Sequence, residues 1–237
     1  MKVIGHRGAA GLALENTLES ITAAKLAGVD AVEFDVRLTA DGEFVLCHDH
    51  NLARVSTHQH AIKEVAAEHI GNIILLNGEK LPTLGEALLA AGDTPVVIEA
   101  KGANWAKPLA AFFKKHKPKG ASVISFNHDE LGSFSKLLPG IPVYSIEKTK
   151  PFDVIQLAKQ NRFTGVDMNF WILNPLTYYL ARRKKLDIIV YTVNSRAIAW
   201  FLNLLFPKIA ITTDRPHLMQ FLRSHHKSSF KVRKKKT

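Results

Sequence analysis

Short apolar segments alternate with amphipathic segments along this chain from one end to the other. The apolar segments predict strands at 2–5, 31–36, 95–100, 121–125, 141–145, 164–168, 187–192 and 208–212. The amphipathic segments predict helices near 16–27, 83–91, 104–116, 128–137, 152–160, 174–184, 195–204 and 215–223. This alternation favours a closed α/β barrel of the (β/α)8, or TIM, type. An open doubly wound sheet would usually carry a Gly-rich phosphate loop after its first strand, and the sequence has none there.

One further strand and one insertion interrupt the alternation. Residues 43–48 are predicted to pair with 31–38 through a turn at Asp41-Gly42, because Asp-Gly is a strong hairpin signal. Residues 49–80 fit neither a strand nor a helix well. We expect them to form a short insertion that emerges from the mouth of the barrel, after the second strand region.

Three helix starts carry capping signals. Thr83 precedes Glu86 by three residues, which predicts a capping box. Asn174 followed by Pro175 predicts a cap and a first-turn proline. Asp214-Arg215-Pro216 predicts a similar start for the final helix.

The composition is that of an ordinary globular protein, with 46% hydrophobic and 8% aromatic residues. We expect one catalytic domain over residues 1–223 and a basic, disordered tail over 224–237.

The single cysteine, Cys47, excludes an intramolecular disulfide and fits a reducing compartment. No apolar leader precedes His6, and no apolar run approaches the roughly 18 residues that span a bilayer. A cytoplasmic location is therefore expected.

The net charge of +11 is concentrated in three clusters, Lys114–Lys119, Arg182–Lys185 and Arg223–Lys236. The first two end predicted helices, and the third follows the last one. Helix C-termini gather on the barrel face opposite the catalytic face, where cations complement the helix dipoles. We therefore predict a basic bottom face that, with the tail, makes at most weak contact with an anionic surface. No specific nucleic-acid recognition is expected.

Five polar residues follow or end predicted strands, namely His6, Glu33, Asp35, His48 and Glu99. In a barrel of this type the chemistry lies at the carboxyl ends of the strands. Three converging carboxylates repel one another unless a cation separates them, so the cluster predicts a metal site. Oxygen ligands favour Mg²⁺ or Ca²⁺, although zinc bound partly by histidine stays open. Two imidazoles beside such a site suit acid/base chemistry near neutral pH.

Other metal or nucleophile motifs are weaker. His58 and His60 lie in the insertion, and His225-His226 lies in the tail, so both are expected to be solvated. Cys47 precedes His48, but adjacent strand residues point to opposite faces. We therefore expect Cys47 to pack behind the sheet.

An ordered set of motifs matches a known family. The motifs are His6-Arg7-Gly8, Glu15-Asn16-Thr17, Glu33-Phe34-Asp35-Val36, Asp41-Gly42, His48-Asp49, Ile98-Glu99-Ala100-Lys101, Ser125-Phe126, Tyr191-Thr192-Val193-Asn194 and Thr213-Asp214-Arg215-Pro216. In this order they resemble the compact cytosolic type of bacterial glycerophosphodiester phosphodiesterase. The chain departs from the usual pattern in having Leu14 where proline precedes Glu-Asn-Thr.

The resemblance implies roles for the site residues. Glu33, Asp35 and Glu99 would bind one divalent cation, and His6 and His48 would be the acid/base pair. Arg7 and Lys101 can neutralise the anionic phosphoryl oxygens. The sequence leaves open which histidine is the acid. It also leaves open whether water or the glycerol hydroxyl attacks first.

The resemblance also implies a substrate. The expected reaction is hydrolysis of small soluble glycerophosphodiesters to sn-glycerol 3-phosphate and an alcohol. A lysophospholipase D activity at the same site is the alternative, and it would need an apolar groove for an acyl chain. Phe126 and Trp171 are candidates for the wall around the alcohol, with core packing as the alternative. Asn194 is expected to cap the helix that follows it, with a hydrogen bond to substrate as the alternative.

Overall fold

The computed structural model describes residues 1–222 of the 237-residue chain. Its strands are β1 (Lys2–Gly5), β2 (Ala31–Leu38), β3 (Phe44–Leu46), β4 (Val96–Ala100), β5 (Ala121–Ser125), β6 (Val143–Glu147), β7 (Gly165–Asn169), β8 (Asp187–Tyr191) and β9 (Ala210–Thr213). All except β3 are parallel and follow one another around a ring in the order β1, β9, β8, β7, β6, β5, β4, β2. Pairing of Ile4 with Ala31 closes β1 onto β2. The predicted (β/α)8 barrel is confirmed.

Most of the helices wrap the outside of the barrel, and the short helix Ala67–Ile70 lies in the insertion. The helices are α1 (Leu18–Leu26), α2 (Ala67–Ile70), α3 (Leu84–Ala91), α4 (Ala106–His116), α5 (His128–Leu137), α6 (Pro151–Gln160), α7 (Pro175–Arg183) and α8 (Arg196–Leu205), with 3₁₀ helices at Ile62–Glu64, Phe170–Ile172 and Pro216–Leu222. Within residues 1–222, no helix combines the length and the apolar character needed to cross a bilayer.

The last predicted helix differs from expectation. An α-helix over 215–223 was expected, but a 3₁₀ helix forms over Pro216–Leu222. The side chain of Asp214, predicted to cap it, instead binds His6 and Asn194. The helix start therefore lacks the cap on which the prediction depended. Residue 223 and the predicted tail, including His225-His226, lie outside the described residues.

Side chains alternate along each strand, so the large core lies outside the barrel and the site residues lie inside it. Val32, Phe34 and Val36 on β2 face outward and pack in the large core between barrel and helices. Ala31 faces inward with Ile4, Val97, Ile124, Ile146 and Ile189, which fill the barrel interior. Because side chains alternate along a strand, Glu33 and Asp35 also face inward, above this apolar floor. Asp35 is paired in register with Glu99 on β4, which brings the two carboxylates together.

The predicted hairpin is confirmed. Strand β3 pairs antiparallel with β2, with Val36 opposite Leu46. Gly42 supplies the positive φ of 95° that the turn requires. The following insertion contributes a small apolar core of its own, to which Leu52, Ile62 and Ile73 belong.

Two of the capping predictions hold. Thr83 and Glu86 form a capping box at the start of α3. Asn174 caps α7 and Pro175 occupies its first turn. The first two basic clusters lie at helix ends as predicted, since Lys114 and Lys115 are in the last turn of α4, and Arg182 and Arg183 are in the last turn of α7.

Candidate active site

One cavity at the carboxyl ends of the strands collects most of the predicted site residues. Its lining includes His6, Arg7, Glu33, His48, Glu99, Lys101 and Phe126. Asp35 lies directly beside Glu33 and Glu99. Trp171 lies outside this lining, with its side chain 78% exposed and its ring 4.6 Å from that of Phe170. Its role as a wall of the pocket stays a prediction.

Three buried carboxylates form the base of this site. One ligand oxygen each from Glu33, Asp35 and Glu99 lies within 4.8 Å of the others. Glu33 Oε1 is buried and accepts no hydrogen bond, and Asp35 Oδ1 is buried against Lys101 Nζ. Among residues 1–222, this is the one grouping of three side chains that could ligate a metal. A set of oxygen donors with unused lone pairs fits a hard divalent cation.

The charges in this cluster are incompletely compensated. Burial, followed by the charge of Asp35, raises the pKa of Glu33 to about 8 and that of Glu99 to about 7. Burial acts on Asp35 in the same direction, but Lys101 and Arg7 outweigh it and lower the pKa of Asp35 to about 2. Without a further cation, ionising all three carboxylates is therefore unfavourable.

Two cationic side chains border the carboxylates. Lys101 Nζ lies 3.1 Å from Asp35 Oδ1 and also contacts Glu99. Arg7 Nε lies 3.4 Å from Asp35 Oδ2. Both cations line the cavity, where they can meet an anion.

The His6-Arg7-Gly8 motif forms a tight turn at the end of β1. Arg7 and Gly8 both adopt positive φ, at 49° and 82°. The turn directs the backbone N–H of Arg7 to Glu33 Oε2 at 2.8 Å. A Cβ at position 8 would lie 2.3 Å from Ser20 Oγ, so only glycine fits there. The motif therefore positions Glu33, one of the three clustered carboxylates, as well as His6.

The Glu15-Asn16-Thr17 motif supports the same site through three separate contacts. Glu15 accepts a hydrogen bond from Arg7 at 2.9 Å. Asn16 clamps Asp35, donating to its Oδ2 at 2.9 Å and accepting from its backbone N–H at 3.0 Å. Thr17 caps α1. The sequence indicated the motif but not these roles.

His6 is held by a carboxylate from the far end of the chain. His6 Nδ1 lies 2.6 Å from Asp214 Oδ1, and Asn194 Nδ2 donates to Asp214 Oδ2 at 2.6 Å. Burial opposes protonation of His6, but the hydrogen bond to Asp214 and the charge of Glu33 raise its pKa. The prediction that Asn194 caps α8 is wrong, because Ser195 accepts the capping hydrogen bond and Asn194 binds Asp214.

His48 has a different environment. His48 Nδ1 lies 2.7 Å from Asp49 Oδ1, and Arg54 Nε donates to Asp49 Oδ2 at 2.7 Å. Burial lowers the pKa of His48, and the charge of Lys101 acts in the same direction. In both histidines Nδ1 is engaged, which leaves Nε2 for proton transfer.

A fourth carboxyl group, Asp167 on β7, also lines the cavity. It is buried and its Oδ1 lacks a hydrogen-bond partner. Burial and the charges of Glu99 and Glu33 raise its pKa well above the ordinary value. Sequence reasoning missed it, although an acidic residue inside the apolar strand Val166-Asp167-Met168 is a usable signal.

Three residues of the weaker motifs, Cys47, His58 and His60, take no part in this cluster. Cys47 is buried in the core of the insertion, as expected, and burial raises the pKa of its thiol to about 11. His58 and His60 face each other with ring centroids 6.3 Å apart and form no three-ligand group.

The fold and this site define a (β/α)8-barrel enzyme whose catalytic face carries an acidic centre, two histidines and two cations. Residues 6–218 match the model of the glycerophosphoryl diester phosphodiesterase family, and the chain belongs to this family. It is therefore a phosphoric diester hydrolase by class.

Relatives of known sequence and structure agree with this assignment. A glycerophosphodiester phosphodiesterase of Bacillus subtilis is 25% identical over 225 residues, covering 82% of this chain and 77% of its own. A crystal structure of the Thermotoga maritima glycerophosphodiester phosphodiesterase matches with a TM-score of 0.81 and 26% identity over 94% of this chain and 98% of its own. An Oleispira antarctica phosphodiesterase, solved with its product sn-glycerol-3-phosphate, shares the fold with a TM-score of 0.86, 24% identity and 94% and 96% coverage.

Proposed function

We propose that the chain hydrolyses glycerophosphodiesters to sn-glycerol 3-phosphate and an alcohol, in the cavity that His6 and His48 line. The observation that carries the proposal is the meeting of two imidazoles, two cations and three buried carboxylates in one cavity. The product bound to the Oleispira antarctica relative is the product expected here.

Glu33, Asp35 and Glu99 would hold one divalent cation, Mg²⁺ or Ca²⁺. The unpartnered buried Oε1 of Glu33 and the oxygen-only donors of the cluster support this donor set. When bound, the cation would supply positive charge to the phosphoryl oxygens as a Lewis acid. Arg7 and Lys101 would bind the same phosphoryl group from the cavity wall.

The two histidines would divide the proton transfers. Their environments move the two pKa values apart, upward for His6 and downward for His48. Such a separation supports one acid and one base. His48 Nε2 would take the proton from the attacking oxygen. His6 Nε2 would give a proton to the departing alcohol oxygen, and Asp214 would stabilise the imidazolium beforehand.

The lining of the cavity favours a small polar substrate. Most of the side chains around its volume of about 180 Å³ are charged or polar. Phe126 would wall the alcohol, with Trp171 further out. This lining supports a soluble glycerophosphodiester over the lysophospholipid that the alternative lysophospholipase D activity requires. The free thiol of Cys47 supports a cytoplasmic site of action.

A turnover assay tests these proposals together. Glycerophosphocholine, glycerophosphoethanolamine and lysophosphatidylcholine would be offered to the protein before and after chelation, with Mg²⁺ or Ca²⁺ added back. We expect release of sn-glycerol 3-phosphate from the first two, lost on chelation and restored by a cation. Chelator-resistant turnover would contradict the metal proposal, and preferred cleavage of the lysophospholipid would favour the alternative.

A further inference from the structure

The charge of the chain is unevenly divided along the sequence. Residues 1–167 contain 18 Lys and Arg against 19 Asp and Glu, whereas residues 168–237 contain 14 against 2. The two acids of the second part are Asp187 and Asp214. Asp214 is engaged with His6, and Asp187 lies 3.6 Å from Arg182. Seven of these 14 cations, from Arg223 onward, lie outside the described residues, and the other seven lie in the last part of the barrel, against the same two acids.

The same part of the barrel exposes an apolar helix face. Trp200, Phe201, Leu204 and Leu205 on α8 are 44–62% exposed. Their spacing of one and four residues places them on one side of the helix. Ala199 and Leu202 are buried on the opposite side, against the barrel. In a solvent-facing helix these four positions would ordinarily be polar.

Cations lie at the bottom of the barrel, after α8 and at the end of the helix before it. Exposed Lys208 follows the end of α8. Arg183, Lys184 and Lys185, with Lys159 of α6, line a surface depression at the end of α7. The ring of Tyr178 on α7 lies 5.1 Å from that of Phe206, which directly follows α8, so the two elements are in contact. We call the α8 face, Lys208 and the three cations at the end of α7 the α8 wall.

Three kinds of partner could cover such a surface, and the charges separate them. A second copy packed wall to wall would bring cations against cations, since both acids of this sector are already engaged. Nucleic acid would use the cations but leave the indole, phenyl and leucine side chains without an apolar partner. An anionic lipid surface satisfies both features, because its headgroups attract Lys and Arg while its interface accepts Trp, Phe and Leu.

We propose that the α8 wall docks the protein on an anionic membrane surface. This refines the expected basic bottom face, because contact is made by the side of the barrel at α8 together with the cations at its lower end. The helix starts beside the catalytic cavity, where Asn194 binds Asp214. When α8 is docked, the mouth of the cavity would therefore face parallel to the membrane surface and not away from it.

Vesicle binding by the full chain tests the proposal. Sedimentation with vesicles of phosphatidylcholine and phosphatidylglycerol would be compared with sedimentation with pure phosphatidylcholine. We expect binding only to the anionic vesicles, weakened by salt. Trp200→Ser with Leu204→Ser should reduce the affinity roughly tenfold or more. Arg183→Glu with Lys208→Glu should reduce it about 25-fold or more, at about fivefold for each cation lost.

Matched variants provide the controls. Leu26→Ser with Leu89→Ser removes two exposed leucines from α1 and α3, away from the α8 wall, and should leave binding unchanged. Lys114→Glu with Lys115→Glu reverses two cations at the bottom end of α4 and should have a much smaller effect than the Arg183 and Lys208 pair. Thermal unfolding checks that each variant is folded.

Two further readouts decide the outcome. In a Trp171→Phe background, the fluorescence of Trp200 should shift to the blue on anionic vesicles, while Trp105 is already buried. Vesicle binding that persists in the α8-wall variants would overturn the proposal. A dimer in solution that Trp200→Ser with Leu204→Ser converts to monomer would also overturn it, in favour of self-association.

Discussion

His6 Nδ1 lies 2.6 Å from the carboxylate of Asp214, and the two residues are 208 positions apart in the sequence. Asn194 fixes the other oxygen of Asp214. A carboxylate at Nδ1 sets the ring tautomer and leaves Nε2 directed at the substrate. Asp214 is thus a positioning residue for the proposed general acid.

Asp214→Asn tests this role. Loss of the carboxylate should lower the pKa of His6, since the hydrogen bond to Asp214 raises it against the effect of burial. Less His6 would then be protonated at high pH, so the alkaline limb of the pH profile of kcat/KM should move to lower pH. We expect kcat to fall about 100-fold. Asp187→Asn, an exposed control on β8, should keep the original profile. An unshifted limb in Asp214→Asn would contradict the assignment.

Asp49→Asn tests the proposed role of His48 as the general base. Asp49 raises the pKa of His48, while burial and Lys101 lower it. Its neutralisation should lower that pKa further, so the acid limb should move to lower pH while the alkaline limb stays in place. We expect a slower reaction at the optimum, because a weaker base accepts the proton less readily. A shift of the alkaline limb instead would mean that the two histidines have the opposite roles.

The acidic cluster predicts how stability depends on pH. Folding raises the pKa of Glu33 from 4.5 to about 8 and that of Glu99 from 4.5 to about 7. The folded state therefore binds more protons than the unfolded state between these values. The free energy of unfolding of the metal-free protein should fall as pH rises from about 4.5 to about 8, as far as these two groups determine it. Thermal unfolding in chelator at several pH values measures this.

A divalent cation should restore the stability that the metal-free protein loses as pH rises. Binding requires the ionised carboxylates, so Mg²⁺ or Ca²⁺ should raise Tm more at pH 8 than at pH 6. Glu33→Gln removes one buried charge, so the metal-free variant should lose less stability as pH rises, and added cation should barely raise its Tm. Glu86→Gln, at a helix cap remote from the cavity, should respond to the cation as the parent protein does. An equal response of Glu33→Gln would contradict the proposed ligand set.

The sequence predicts this site well where strand ends determine it. Glu33, Asp35 and Glu99 converge because parallel strands bring their carboxyl ends to one edge, and that rule needs no tertiary detail. Asp214 and Asn16 could not be assigned in the same way, since each acts on a partner that only the folded barrel brings near. Asn194 shows the same limit, because two adjacent residues could cap α8 and a contact to Asp214 decides between them.

The difference between the helix predicted over 215–223 and the 3₁₀ helix that forms has a related cause. Asp214-Arg215-Pro216 is a sound capping pattern taken alone, but the site uses the side chain of Asp214 for His6. At this position the contact between Asp214 and His6 replaces the cap that the local sequence predicts. Asp167 was missed because it belongs to no motif, and its position inside an apolar strand was the signal that could have indicated it.

Lys148 at the mouth of the cavity predicts a head-group preference. Its Nζ lies 5.2 Å from the centre of the Phe126 ring, beside the proposed alcohol site, and it lines the cavity. A cationic choline group there would be repelled by Lys148. Lys148→Glu should therefore raise kcat/KM for glycerophosphocholine relative to a glycerophosphodiester with a neutral alcohol, by about three- to tenfold for an exposed pair. The effect should shrink with added salt. Lys150→Glu reverses an exposed charge two residues further on, outside the cavity lining, and should change the ratio little. An equal change in both variants would assign the preference to overall charge rather than to this position.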